Sequence, residues 1–221
     1  MRKTASKCLF GQQDVEVKSH TIVYKGFFRV YTALLRHKLF RGGWSDWIER
    51  EVVDRGHAVV VLPYDPKRDS IIMLEQFRVG SVHVLGAPER HASQPEASPW
   101  LLELVAGMVD AGETEEAVAH RELNEEAGLK ADQLDYVMSY SSSPGGLTER
   151  ISIFIASVDA TTASKYGGLA SEHEDIRVTE MPRSEAIALL AEGYIDNAAT
   201  VIALQWLELN KERLLLKWEL Q

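Results

Sequence analysis

Residues 107–129, GMVDAGETEEAVAHRELNEEAGL, constrain the chain more than any other stretch. The run from Glu113 to Ala127 is rich in Ala and Glu and holds no proline or glycine, which predicts a helix. Glu113, Glu115 and Glu116 would crowd its first turn, where the positive end of the helix dipole favours carboxylates. Gly128 stands where a left-handed residue would close the helix. Glu122 and Glu126 are four residues apart, so both carboxylates project from one face, with Glu125 beside them. Carboxylates that close repel each other unless a cation lies between them. Hard oxygen donors at this density suit Mg²⁺ or Mn²⁺, which also bind phosphate oxygens. Gly107 lets the preceding backbone come near, which makes the Ala106 carbonyl a candidate extra ligand. Arg121 lies on an adjacent face, where it would hold a glutamate in place rather than touch a ligand. The plain alternative is a solvated acidic helix, as charge runs usually are.

The rest of the chain reads as mixed strand and helix. Residues 15–54 alternate apolar and polar in short runs, which predicts antiparallel strands. His57–Pro63 and Ile71–Val79 read as buried strands around the turn YDPKRDS. Residues 80–100 hold three prolines and few periodic apolar positions, so they read as a loop. Leu101–Val105 reads as a strand leading into the helix segment, Ile151–Val158 as another strand, and 183–192 as a short helix. Asp196 is a candidate cap for a last helix over 197–218, where Val201, Ile202, Trp206, Leu207, Leu214 and Trp218 recur at helical intervals. This order predicts an α/β (α+β) fold: an α/β/α sandwich with a mixed sheet, plus an N-terminal antiparallel β-sheet appendage. The expected division is residues 1–56 for the appendage and 57–221 for the main domain.

Composition excludes several classes. A chain of 221 residues with 45% hydrophobic content supports one sizeable core. No apolar run approaches the roughly 18 residues of a membrane span, and the N-terminus lacks a continuous apolar signal segment. The expectation is a cytoplasmic protein with no membrane partner. Cys8 is the single cysteine, so no intrachain disulfide framework exists. Net charge is −9, yet residues 1–50 carry ten Lys/Arg against four Asp/Glu, leaving −15 on the remainder. An acidic body with no recognisable binding motif is a poor partner for nucleic acid. Two readings of the basic segment stand: a solvated surface, or one that meets the acidic body of a second subunit or helps neutralise an anionic ligand.

Taken together, Gly107, Glu113, Arg121, Glu122, Leu123, Glu125, Glu126, Gly128 and Leu129 match the Nudix box: glycine, five residues, glutamate, seven residues, then Arg-Glu-apolar-x-Glu-Glu-x-Gly-apolar. Beyond the box, the chain resembles the bacterial ADP-ribose pyrophosphatase branch of that superfamily from about Val17 to Trp206. The resemblance runs through YKGFF, RGHAVVVLPYDP, EQFR, SPGG at 143–146, DATTAS, the EHEDIRV loop and DNAATVIALQW.

That resemblance implies hydrolysis of ADP-ribose to AMP and ribose 5-phosphate with Mg²⁺, or Mn²⁺, as cofactor. It implies metal ligation by the Ala106 carbonyl, Glu122, Glu126 and Glu174, with Glu125 a further carboxylate at the catalytic centre and Glu113 auxiliary, as is Arg121. It implies Glu172 as general base, on a loop expected to be flexible over 168–177; His173 is the alternative base, since imidazole is the commonest. Phe27 and Arg50 match adenine-binding positions, with Arg50 supplied either by the same chain or by a second subunit, and Arg78, Met108, Gly145 and Glu149 would line the phosphates or terminal ribose. A homodimer that exchanges the N-terminal sheet is implied as well. The 80–99 loop, with His83, Arg90 and His91, is longer than the resemblance leads one to expect. It is either a tolerated surface insertion or a cover that alters which sugar is accepted. Alternative functions are cleavage of another nucleoside diphosphate sugar such as GDP-mannose, or non-catalytic binding of ADP-ribose; the full set of box glutamates argues against the latter.

Overall fold

The computed structural model describes residues 8–85 and 98–219. Contacts divide the chain into two compact units. One runs to Gly56 and takes in Ser141–Glu149; the other comprises His57–Tyr140 and the chain from Arg150 onward.

The second unit is built on an eight-stranded mixed sheet. Strands β4 (Ala58–Asp65) and β5 (Ser70–Phe77) form a hairpin that pairs only at Tyr64–Ile71 and Asp65–Ser70. Beyond those pairs the two strands part, and the next segment fills the gap. Its first half, β6 (Trp100–Glu103), pairs with β5, and its second half, β7 (Val105–Met108), pairs with β4. The change of partner falls at Leu104, whose N–H is 3.3 Å from Thr200 Oγ1 instead of in a ladder. The single strand expected over Leu101–Val105 is therefore two, because its neighbours diverge.

β8 (Gln133–Ser141) and β9 (Arg150–Ser157) extend the sheet beyond β4, with β9 parallel to β4. On the other side, β11 (Ile176–Pro182) pairs with β5, and the short β10 (Tyr166–Gly167) pairs with β11. β8, an edge strand of half-buried and exposed residues, was missed in the sequence reading although Leu134, Tyr136, Met138 and Tyr140 alternate with mostly polar residues along it.

Helices cover both faces of this sheet. Successive strand residues point to opposite faces. Val59, Val61, Ile72, Leu74 and Phe154 pack with Val118, Ala119 and Leu123 of α1 (Glu115–Ala127). Val60, Leu62, Ile71, Met73 and Ile153 pack with Ala203, Leu204 and Leu207 of α3 (Ala198–Glu219) and Ala186 of α2 (Arg183–Glu192). Central strands covered on both sides must be apolar at every position, which explains the unbroken run VVVLPY.

Two helix starts differ from expectation. α1 begins after Thr114, whose Oγ1 accepts the Ala117 N–H at 3.2 Å, so Glu113 precedes the helix rather than sitting in its first turn. α3 is capped by Asn197 and not by Asp196: Asn197 Oδ1 accepts the Thr200 N–H at 3.2 Å. Gly128 closes α1 at φ 66°, the left-handed conformation its position predicts. Among the described residues, no helix is long and apolar enough to cross a membrane.

In the first unit, β1 (Val15–Lys25), β2 (Arg29–His37) and β3 (Ile48–Asp54) form an antiparallel sheet. Register shifts at Lys18 and Val23 give β1 its irregularities. Part of the basic charge here is engaged within the unit. Arg36 lies over both Trp44 and Trp47, 4.8 Å from each ring, Lys38 over Trp44, and Lys18 over Trp47.

Leu204 is 1% exposed at the interface of α3 with the sheet. Leu204→Ala is expected to cost about 2–5 kcal/mol of unfolding free energy, read from urea melts of the metal-free protein. A loss below about 1 kcal/mol would contradict the packing assigned to α3.

Candidate active site

The site begins at an edge of β7. Val109 N–H donates to His57 O at 3.0 Å, and the register continues through Val59–Gly107 and Val61–Val105. Hydrogen-bonded and non-bonded pairs alternate in an antiparallel ladder, so Val60–Ala106 is a non-bonded pair. The Ala106 N–H and carbonyl therefore point away from β4. The N–H donates to Glu126 Oε2 at 2.8 Å, and Glu126 is 2% exposed. At the next residue, a Cβ on Gly107 would fall 1.6 Å from Glu122 Oε1. A side chain at 107 would force the Glu122 side chain out of this position, so glycine here answers a steric demand and not one of φ.

Arg121 binds three carboxylates together. Its Nη1 donates to Glu122 Oε1 at 2.7 Å and to Glu125 Oε2 at 3.0 Å. Nε and Nη2 reach the two oxygens of Glu113 at 3.1 and 3.2 Å, and Nη2 also reaches the Met108 carbonyl at 3.3 Å. The Arg121 guanidinium holds the Glu113 carboxyl below its usual pKa, and the carboxylates hold Arg121 protonated. Glu113 in turn accepts the Asp110 N–H at 3.2 Å, which ties the approach to α1 to the same cluster.

The segment after β10 docks on the end of α1. Gly168 N–H donates to Glu125 O at 3.0 Å, and a Cβ on Gly167 would lie 1.8 Å from Glu126 O. Gly168 has φ +91° and packs against Glu174. Glu174 Oε2 accepts the Leu169 N–H at 3.1 Å, and its charge acts on Glu122 and Glu126. The stretch 168–177 is thus not a plain loop. It holds a 3-10 turn over Ala170–Glu172, a left-handed His173 at φ 58°, and the start of β11. Glu172 and His173 are exposed and Glu174 is half-buried.

Burial pushes the Glu122 carboxyl up to about 7, against the pull of Arg121 and with a further push from Glu125 and Glu174. Burial likewise pushes Glu126 up to about 8; the Ala106 N–H and Arg78 oppose this, and Glu122 and Glu174 reinforce it. Among the described residues, no three acidic or histidine side chains converge as they stand into a set that could hold a metal. Glu122 is turned to Arg121 and Glu126 to the Ala106 N–H. The chemistry of the donors nonetheless fits a hard divalent cation: they are all oxygens, and they include two buried carboxyls that ionise at a cost a cation would remove.

Arg78 is exposed, and its Nε donates to buried Glu103 Oε2 at 2.7 Å. Glu103 was missed in the sequence reading, although a charge within WLLELV is a signal, since buried charges need partners. The remaining expected residues belong to the first unit. Phe27 is 84% exposed in the turn between β1 and β2, edge-to-face with Phe28. Arg50 lies opposite Ala33, about 13 Å along β2 from Arg29, where that turn ends. One chain does not bring Phe27 and Arg50 together. Gly145 is exposed in a turn in which Gly146 N–H donates to Ser143 O at 3.2 Å. Glu149 is buried and pairs with Arg55 Nε at 3.2 Å. In the long loop, His83 lies in a 3-10 turn, while Arg90 and His91 fall outside the described residues.

The raised carboxyl pKa values set a pH dependence. Folded Glu126 keeps its proton to about pH 8, whereas an unfolded glutamate loses it near 4.5, so the metal-free fold loses stability as pH rises through that window. The melting temperature of metal-free protein should therefore fall between about pH 5 and pH 8. Mg²⁺ should raise it more at about pH 8 than at about pH 6, because the ion competes with protons. Glu126→Gln should flatten both trends; a variant that melts and responds to Mg²⁺ as the parent does would contradict the assignment.

A family model for the NUDIX domain matches residues 54–204. The ADP-ribose pyrophosphatase of Escherichia coli (strain K12) is 47% identical over 209 residues, 95% of each chain. The GDP-mannose pyrophosphatase of Cronobacter sakazakii is 39% identical over 162 residues, 73% of this chain and 78% of that one. A crystal structure of an ADP compounds hydrolase superposes with a TM-score of 0.65 over 92% of this chain and 98% of its own, at 22% identity, a likeness of fold. With that match across more than half its length and its box residues gathered between β7 and α1, this chain belongs to the Nudix family.

Proposed function

We propose that the chain hydrolyses the pyrophosphate of ADP-ribose to AMP and ribose 5-phosphate. The observation that carries this reading is the 47% identity over 95% of both chains with an ADP-ribose pyrophosphatase, a span too long to be confined to the box. In this reading Glu122, Glu126, Glu174 and the Ala106 carbonyl hold Mg²⁺ or Mn²⁺, and Glu125 completes the acidic cluster. A cation held there would supply positive charge to the pyrophosphate and polarise a water nucleophile.

The chain's own residues supply the rest. Arg121 and Glu113 keep the carboxylates oriented without meeting substrate, in keeping with Arg121 being bonded to Glu113, Glu122 and Glu125. Arg78 pairs with phosphate oxygens as a charged donor. Glu172 takes the proton of the attacking water; its exposed place on the turn before β11 supports a base that meets substrate from a separate segment. Met108, Gly145 and Glu149 contact the phosphates or terminal ribose, and Phe27 and Arg50 the adenine.

The second reading, cleavage of a different nucleoside diphosphate sugar, draws support from the 39% identity with a GDP-mannose pyrophosphatase. A panel of nucleoside diphosphate sugars with Mg²⁺ separates the two. ADP-ribose should be cleaved with the highest kcat/KM, and brisk turnover of GDP-mannose with none of ADP-ribose would sink the first reading. On the preferred substrate, Glu172→Gln should lower kcat by about 10²–10⁴-fold with KM little changed, as loss of a general base requires. A change in KM alone would argue against that role.

We infer further that the chain works as a homodimer built through the N-terminal sheet. β1 leaves Ile22 49%, Val23 58% and Tyr24 57% exposed, apolar side chains that a second copy would cover. Sedimentation equilibrium should give twice 24.8 kDa, and Val23→Lys should shift the protein toward monomer. A monomeric parent protein at micromolar concentration would refute the dimer.

A further inference from the structure

Glu103 is an ionisable side chain that the reaction as described leaves without a role. Its side chain is only 4% exposed, and a carboxylate so placed is costly unless its oxygens are satisfied. Among the described residues, two donors reach it. Arg78 Nε meets Oε2 at 2.7 Å, and Asn197 Nδ2 meets Oε1 at 2.7 Å. Asn197 is itself fixed, since its Oδ1 accepts from the Thr200 N–H and the Thr200 hydroxyl, both at 3.2 Å. Thr200 is wholly buried, and its Oγ1 also takes the Leu104 N–H at 3.3 Å. The Glu103 carboxylate is therefore gripped at both oxygens, between the cap of α3 and the end of β5.

Arg78 differs from its partner. Its side chain is 43% exposed, and it is bonded to Glu103, three residues before Ala106 on the β6–β7 segment that carries the Ala106 N–H to Glu126. The bond to Glu103 engages Nε. Among the described residues, that leaves the edge formed by the two terminal nitrogens to pair with two phosphate oxygens at once. An arginine held in this way loses less rotamer freedom on binding than one that must be ordered by the ligand.

We propose that Glu103 is a positioning residue: held by Asn197, it fixes the Arg78 guanidinium so that its terminal edge meets the pyrophosphate. This rests on Arg78 being a phosphate ligand, as read above. The competing account is a buried ion pair that serves only the fold, and a double-mutant cycle separates the two.

Steady-state kinetics with Mg²⁺, on the substrate that the panel selects, compare the parent with Glu103→Gln, Arg78→Ala and the double variant. The glutamine keeps the shape of Glu103 but turns an amide donor toward Arg78 or Asn197. Glu103→Gln should lower kcat/KM by about 10–100-fold, the scale of other orienting partners. Arg78→Ala should lower it at least as much, and adding Glu103→Gln to Arg78→Ala should cost no more than about twofold. Asn197→Ser retains a capping oxygen and removes only the amide donor. It should lower kcat/KM in the same non-additive way with the melting temperature little changed, which keeps the test available if Glu103→Gln fails to fold. Losses that add to that of Arg78→Ala would overturn the positioning role while leaving Arg78 as a phosphate ligand. Undiminished kcat/KM in Arg78→Ala would refute the phosphate reading itself, and the proposal with it.

Discussion

The close approach of β7 to α1 is the constraint on which the active site depends. β7 bonds to β4 along one edge, and alternation in that ladder turns the Ala106 amide and carbonyl toward the helix. Gly107 makes the distance possible, because any side chain there would collide with Glu122. Two carboxylates are thereby buried next to backbone, where ionisation is costly. The Ala106 N–H and Arg121 offset part of that cost in the metal-free protein, and both carboxyls still titrate well above their normal range. Carboxyls pushed up in this way hold protons near neutral pH, so any cation that binds there has to compete with them.

The same logic of backbone approach recurs at the other end of α1. Gly167 and Gly168 let the segment after β10 lie against the final turn of the helix, and this brings Glu174 to the carboxylates from a distant part of the chain. Glu172 sits two residues earlier, exposed and outside the packed contact. A packed Glu174 beside an exposed Glu172 suits a division between a fixed ligand and a moving base. The half of the sheet beyond β5 thus serves the site by anchoring one loop.

Much of this was legible in the chain itself. The spacing of Glu122, Glu125 and Glu126, the glycine that closes α1, and the α2 and α3 segments all follow from local propensity and periodicity. Edge and boundary features were not. The alternation of Leu134, Tyr136, Met138 and Tyr140 marks β8 as a strand but not its place at a sheet edge, and the break at Leu104 exists only because β4 and β5 diverge. Asp196 and Asn197 are both good caps by residue type, and only the path of the backbone selects Asn197.

By itself, then, the sequence determined the family signature: a helix bearing a row of carboxylates, preceded by a glycine that admits backbone, at the spacing of the Nudix box. These are properties of spacing along one helix, and helix geometry is local. Only the tertiary structure decided which distant residues join that row. Glu174 arrives through two glycines packed on α1, and Arg78 arrives tied to a glutamate hidden in an apolar strand and to the cap of a helix more than a hundred residues away. No local rule links those positions, because what joins them is the pairing of strands and the packing of helices across a sheet.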